Sequence, residues 1–163
     1  MKKLAIVLSG DLRLDFAIAN VIIGLKRYNE DLIDTIYVYS DMPQERREQI
    51  TSLWADRIVF VDFAYEDFAR DFAISTGGEI PKLIAENKRF GHYIYAKFYC
   101  FDYLSDYENV LWLDADTLCL NSLTPILCGE ALSFKWHNGQ TSQIRAYLRA
   151  TSAGGGGFSR KSA

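Results

Sequence analysis

Cysteine, proline and histidine are all scarce in this chain, and no apolar run in it is long. Among 163 residues there are 3 cysteines, 3 prolines and 2 histidines. The thiols (Cys100, Cys119, Cys128) are odd in number and lack C-x-x-C spacing, so neither a disulfide framework nor a cysteine zinc site fits. The first apolar run, Leu4 to Leu8, follows Lys2 and Lys3 but is stopped at once by Ser9, Gly10 and Asp11. A secretory core needs roughly 7–15 apolar residues and a membrane span about 20. The expectation is therefore a chain with no signal peptide and no transmembrane segment, in the reducing cytoplasm. Charge of one sign is also missing. The net value of −3 lacks the basic footprint of a nucleic-acid binder or a polybasic membrane anchor.

What is present is an ordinary apolar fraction, 49%, with 24% charged residues. A chain of this size suits one domain, residues 1–163, since single cores run to roughly 100–200 residues. No repeat of solenoid type is visible.

Short apolar runs alternate with amphipathic stretches, the pattern of an α/β domain. Leu4–Leu8 reads as a buried strand ending in a turn. Leu14, Ile18, Val21, Leu25 and Tyr28 then recur at steps of three and four, which predicts a helix. Phe16, Ala19 and Ile23 lie off that stripe, so the helix is expected to be buried on more than one side. Asp34–Ser40 is β-branched and aromatic and predicts a second strand. Pro43 opens a charged helix from Gln44 to Trp54, and Arg57–Val61 reads as a third strand. This β-α-β-α-β order predicts a mostly parallel, Rossmann-like sheet with ligands at the strands' carboxyl ends, where Ser9–Asp11 lie.

Farther on, Phe63, Tyr65, Phe68 and Phe72 suit one side of a short helix, broken by Gly77-Gly78. Pro81–Asn87 reads as a short helix and Tyr93–Leu104 as an α-helix burying Ile94, Phe98 and Phe101, with Lys97 beside that stripe. Asn109–Leu113 is a strand, Ala131–Trp136 another, and Gln143–Arg149 a short helix. The tyrosines and phenylalanines between residues 93 and 103 suit packing better than base stacking, because basic residues do not interleave them. Cys100 among them reads as a small buried hydrophobe.

The chemistry concentrates at Leu111-Trp112-Leu113-Asp114-Ala115-Asp116-Thr117. An apolar strand delivers two carboxylates to its carboxyl end, with small Ala115 between them leaving room for a ligand to approach the backbone. Two hard oxygen ligands suit Mn²⁺ or Mg²⁺ bridging to phosphates. A solvated acidic turn uses the same residues, and Ser9-Gly10-Asp11 equally suits a strand ending for local reasons.

The stretch Tyr95–Leu123 (YAKFYCFDYLSDYENVLWLDADTLCLNSL) resembles the donor-binding core of family 8 glycosyltransferases, the glycogenin-like enzymes of GT-A fold. In that family a basic residue on a helix precedes a strand ending in DADT and a Leu/Asn-rich continuation. The likeness covers most of residues 4–128. It implies a metal-dependent transfer of a sugar from a nucleotide-sugar donor, a UDP-sugar by resemblance, with retention of configuration. Asp114 and Asp116 would hold the metal, Mn²⁺ or Mg²⁺. Asp114 and Ala115 would also border the donor, and Lys97 would meet phosphate or donor sugar as a point charge. Arg89, about two helical turns earlier, matches a second cation of the family, although a surface charge explains it as well. Ser9, Gly10 and Asp11 correspond to the strand end that contacts uridine. Gly154–Gly157 with Phe158 is similar to a glycine-rich sugar-side turn, and also to a flexible tail. The residues leave the acceptor open, with a glycan or lipopolysaccharide-type saccharide as one candidate.

Two departures matter. The family runs past this length and supplies a late histidine to the metal, whereas this chain has only His92 and His137, both ahead of the glycine run. The chain thus reads as a donor-binding part with its acceptor side short or cut away. No residue suggests itself as a general base. Two alternatives stand beside the transferase: a nucleotide-sugar-binding domain without turnover, and a phosphatase of the haloacid-dehalogenase type. The latter needs DxDxT, where this chain has Leu118 at the threonine position.

Overall fold

Strand order decides where a site can form in this chain. In a computed structural model, which describes residues 2–80 and 91–127, four strands make one parallel sheet in the order β3-β2-β1-β4. They are β1 (Lys2–Ser9), β2 (Thr35–Ser40), β3 (Ile58–Asp62) and β4 (Tyr107–Trp112). β1 is central, with Ser9 opposite Tyr39 on one side and Val7 opposite Trp112 on the other. The chain steps outward from β1 to β2 and β3, then returns to place β4 on β1's free edge. Its direction of winding therefore reverses between β1 and β4. In open parallel sheets the crevice outside the strand ends at such a reversal is where ligands bind.

Both faces of the sheet are covered, as parallel sheets require. Leu4, Ile6 and Leu8 of β1 pack with Ile18, Val21, Ile22 and Leu25 of α1 (Asp15–Asn29). Ile50 of α2 (Gln44–Thr51) and Trp54 join the same cluster. Ala5 and Val7 point the other way, toward Tyr39, Phe63, Ala96 and Tyr107, and toward Phe68 of α3 (Tyr65–Thr76). Alternate residues of one strand thus serve two cores. A short helix α4 (Thr124–Leu127) follows β4. Among the described residues no helix is long and apolar enough to cross a membrane.

The predicted parallel α/β arrangement is what forms, with differences in detail. α1 is buried along one side only: Phe16 and Ile23 are 75% and 50% exposed, because the sheet and the segment after β4 cover a single stripe. The helix after β2 ends at Thr51, and Leu53 and Trp54 follow in turns. Gly77 closes α3 in the left-handed region at φ 69°, a conformation open to glycine without strain. The larger correction concerns residues 93–104. Tyr93–Tyr103 is a 3-10 helix, not an α-helix. Phe98 and Phe101 are 57% and 58% exposed, while Ala96 is fully buried. Three-residue spacing puts Tyr93, Ala96 and Tyr99 in line against the sheet, where bulky rings find partners. Tyr103 stacks on Tyr37 at 4.0 Å between centroids, and its hydroxyl lies 2.8 Å from that of Tyr39. Tyr99 donates to Asp71 at 2.8 Å. Tyr93, Tyr95, Tyr99 and Tyr103 pack against the sheet, as expected, whereas Phe101 does not. The helix expected at Pro81–Asn87, the strand at Ala131–Trp136, the helix at Gln143–Arg149 and the Gly154–Ala163 stretch lie outside the described residues.

The segment after β4 is locked onto α1 at two points. A Cβ at Gly24 would stand 2.5 Å from the carbonyl oxygen of Cys119. Asn29, buried at the end of α1, accepts from the Leu123 amide at 2.6 Å and donates to the Asn121 carbonyl at 3.3 Å. In an open helix, Gly→Ala gains about 1 kcal/mol. Here Gly24→Ala is expected to lose about 1–3 kcal/mol, because the methyl meets backbone that must shift. Urea unfolding of the two chains measures the sign. By the same assay Asn29→Ala, which strands the Leu123 amide, loses about 1–3 kcal/mol.

Candidate functional site

Beyond Trp112 the alternation of β4 continues, and it divides the residues at its tip. Val110 and Trp112 lie on the side of the 3-10 helix, while Leu111, Leu113 and Ala115 join the core beneath α1. Leu113 adds one more ladder bond, its amide donating to the Val7 carbonyl at 3.1 Å. The chain then turns, with the Thr117 amide donating to the Asp114 carbonyl at 3.0 Å. Ala115 is 8% exposed and anchors this turn. Asp114 and Asp116 stay exposed on either side of it. The indole N–H of Trp112 donates to Asp114 Oδ1 at 3.2 Å. Among the described residues Asp116 makes no side-chain hydrogen bond or ion pair.

These are hard oxygen donors, exposed and at the reversal point of the sheet. Among the described residues no third histidine, cysteine, aspartate or glutamate completes a cage with them. Two carboxylates and open positions fit Mg²⁺ or Mn²⁺, which keep waters and take substrate phosphates as further ligands.

The tip of the neighbouring strand is held by hydrogen bonds from three elements. Ser9 is buried, and its hydroxyl donates to the Tyr93 carbonyl at 2.8 Å. The Gly10 amide donates to the Tyr39 carbonyl at 3.2 Å, and the Gly10 carbonyl accepts from Ser40 Oγ at 2.6 Å. A side chain at Gly10 would press on Leu14 and Ile18, with Cβ contacts of 3.0 and 3.2 Å. Asp11 accepts from the Arg13 amide at 2.9 Å and from Arg13 Nε at 2.8 Å, capping the turn Leu12–Leu14. The nearby Tyr93 phenol is pushed above its usual range by burial and then by its hydrogen bond to Asp41. Ser9's hydroxyl is thus engaged within the protein, and the β1 tip presents mainly backbone and the Asp11–Arg13 pair.

Sequence reasoning missed Arg13, Ser40, Asp41 and Tyr93. The i, i+2 spacing of Asp11 and Arg13 was a readable signal. Ser40 and Asp41 lie at the end of β2 and Tyr93 opens the 3-10 helix, both far in sequence from Ser9–Asp11, and nothing local announces them.

Lys97 lies on the exposed side of the 3-10 helix, its ammonium 5.7 Å from the Phe98 ring centroid. Among the described residues it has no acidic partner. Arg89 and His137 lie outside the described residues. His92 is buried among Phe63, Phe68 and Tyr93, with Nε2 2.8 Å from the Phe63 carbonyl oxygen, which explains it as a packing residue. Burial pushes the Cys100 thiol up to about 12, so it stays neutral and is no nucleophile.

Solved structures share this architecture. The galactosyltransferase LgtC, determined with donor and acceptor sugar analogues, superimposes with a TM-score of 0.56 at 22% identity over 76% of this chain. The bifunctional glycosyltransferase WbbM gives 0.53 at 18% identity over 78%. At such identities the likeness is one of fold, here GT-A. This chain spans 41% of the LgtC chain and 21% of WbbM. No curated protein matches it. The sequence model of glycosyl transferase family 8, however, matches residues 6–129. That match runs from β1 through both aspartates to just beyond α4 and takes in well over half of the sequence, so this chain belongs to glycosyl transferase family 8.

Proposed function

We propose that this chain forms the donor-binding part of a metal-dependent glycosyltransferase that moves a sugar from a UDP-sugar to a glycan or lipopolysaccharide-type acceptor. The observation that carries the reading is the pairing of Asp114 and Asp116 with the Ser9–Asp11 turn across the reversal point of the sheet. A nucleoside diphosphate is elongated, with a flat base at one end and a charged diphosphate at the other. Two adjacent strand tips, one offering a preformed turn surface and one offering carboxylates, match those two ends.

Asp114 and Asp116 would hold Mn²⁺ or Mg²⁺. The ion, when bound, supplies positive charge against the diphosphate as the bond to the sugar breaks. The chain's own residues orient the donor. The preformed surface of the Ser9–Gly10 turn, with Asp11, takes the nucleoside side. Ala115, buried and small, lets the donor lie close to the turn. Lys97 meets phosphate or donor sugar as a mobile cation, and Arg89 is a second candidate for that role. The cytoplasm, where nucleotide sugars and reduced thiols coexist, suits the free Cys100 and Cys119.

Because two carboxylates leave the metal shell incomplete, binding of metal and nucleotide is expected to be coupled. Calorimetric titration of Mn²⁺ is expected to show tight binding only in the presence of UDP, and none after Asp116→Ala. Equal binding with and without UDP overturns the assignment. Turnover is checked separately, by release of UDP from UDP-sugars with Mn²⁺. Binding without release selects the alternative of a non-catalytic donor-binding domain.

Losing a hydrogen bond to a charged group costs about 1.5–3 kcal/mol. Lys97→Ala is therefore expected to weaken UDP-sugar affinity about tenfold to a hundredfold. Because the ammonium is exposed and has no ion-pair partner among the described residues, the melting temperature is expected to stay unchanged. Unchanged affinity returns Lys97 to the role of a solvated surface lysine.

A further inference from the structure

We infer that Trp112 is a positioning residue for Asp114. The inference rests on the donor-site reading above, but the interaction behind it stands in the protein alone. Trp112 and Asp114 are two residues apart on a continuing strand, so their side chains leave the same face. The indole ring is half-buried against the aromatic core on that face. Packing therefore fixes the ring, and its N–H reaches Asp114 Oδ1 at 3.2 Å. Tryptophan is the aromatic residue whose ring N–H donates and cannot accept, so this contact holds the Asp114 side chain in one orientation. With Oδ1 engaged, Oδ2 is the oxygen left for a cation.

The two carboxylates are thereby unequal. Asp114 is held, while Asp116 has no such hydrogen bond among the described residues. An exposed aspartate without a partner samples several rotamers, and ordering it on binding costs conformational entropy. Trp112 removes that cost for one ligand of the pair before metal or nucleotide arrives. Groups that orient metal-ligating side chains typically contribute ten- to a hundredfold in metal affinity. For a partly exposed contact, the lower end of that range is expected.

Two readouts on the full chain separate positioning from packing. The first needs no metal: the indole N–H resonance of Trp112, identified by its loss in Trp112→Phe, is followed by ¹H–¹⁵N NMR. In Asp114→Ala it is expected to move upfield, as a donor losing a charged acceptor does. The second is calorimetric affinity for Mn²⁺ in the presence of UDP. Trp112→Phe keeps an aromatic ring on that face and loses the N–H, and is expected to bind about tenfold more weakly at a nearly unchanged melting temperature. An indole resonance that ignores Asp114→Ala overturns the inference even if Trp112→Phe fails to fold. Wild-type affinity in a folded Trp112→Phe overturns it as well, and leaves the donor-site reading standing. If the unsubstituted chain binds no Mn²⁺ with UDP while the indole shift is seen, the donor-site reading fails and the hydrogen bond is purely structural.

Discussion

Everything in this fold depends on β1 being paired on both edges. Its residues Leu4 to Leu8 are completely buried, and a strand so placed has no water with which to satisfy its backbone. Parallel neighbours on each side solve that problem along its length but not at its end. Where β1 stops, the amides and carbonyls of Ser9 and Gly10 need partners that the ladder no longer supplies. For Gly10, β2 provides them through the Tyr39 carbonyl and the Ser40 hydroxyl, while the Tyr93 carbonyl of the 3-10 helix takes the Ser9 hydroxyl. Ser40 is itself fixed, since its oxygen also accepts from the Met42 amide at 3.1 Å. Arg47 ties that loop down again, donating to the Ser40 carbonyl at 3.0 Å and the Met42 carbonyl at 2.6 Å. The need to satisfy one strand end thus produces a rigid turn, and that turn borders the crevice.

The second strand tip is stiffened by a different device. Beyond Asp116 the chain crosses α1 so closely that only a glycine fits beneath the Cys119 carbonyl, and Asn29 fastens it farther along. Ala115 and Leu123 sink into the same core. A turn carrying two like charges gains nothing from their mutual repulsion, so its shape has to come from its apolar and backbone anchors. Those anchors lie between and after the aspartates, which leaves both carboxylates free of structural duty.

The parallel sheet, its strand tips and the carboxylate pair were legible in the sequence because each depends on local pattern, whereas the return of β4 to the free edge of β1 was not. Apolar runs mark buried strands, three-and-four spacing marks α1, and an acidic pair after an apolar run marks a strand tip. What escaped was set by tertiary contact. Residues 93–103 carry apolar side chains nearly everywhere, so their periodicity does not choose between 3.0 and 3.6 residues per turn. The choice is made by Tyr37, Tyr39 and Asp71, which take the hydroxyls and rings of Tyr103 and Tyr99. Phe98 and Phe101 are exposed as a result. The bonds that hold Ser9 and Gly10 join residues 84 and 30 positions apart, a distance that no motif spans.

The two tips also differ in what they can offer a ligand, and the difference follows from the same accounting of hydrogen bonds. At β1 the Ser9 hydroxyl and both backbone groups of Gly10 are already engaged, so on the proposed reading a base would meet a preformed surface and the Asp11–Arg13 pair. At β4 the Asp116 carboxylate is open and that of Asp114 is half engaged. A neutral, flat group pays little desolvation at the first tip, whereas the second needs positive charge beside it before it can accept a diphosphate. Two carboxylates facing two phosphates repel across a few ångströms, and the effect is strong wherever water is thin. A divalent cation reverses the sign of that interaction. On the proposed donor reading, a divalent cation is what the charges already in place call for, and a ligand lacking the diphosphate would give it no comparable reason to bind.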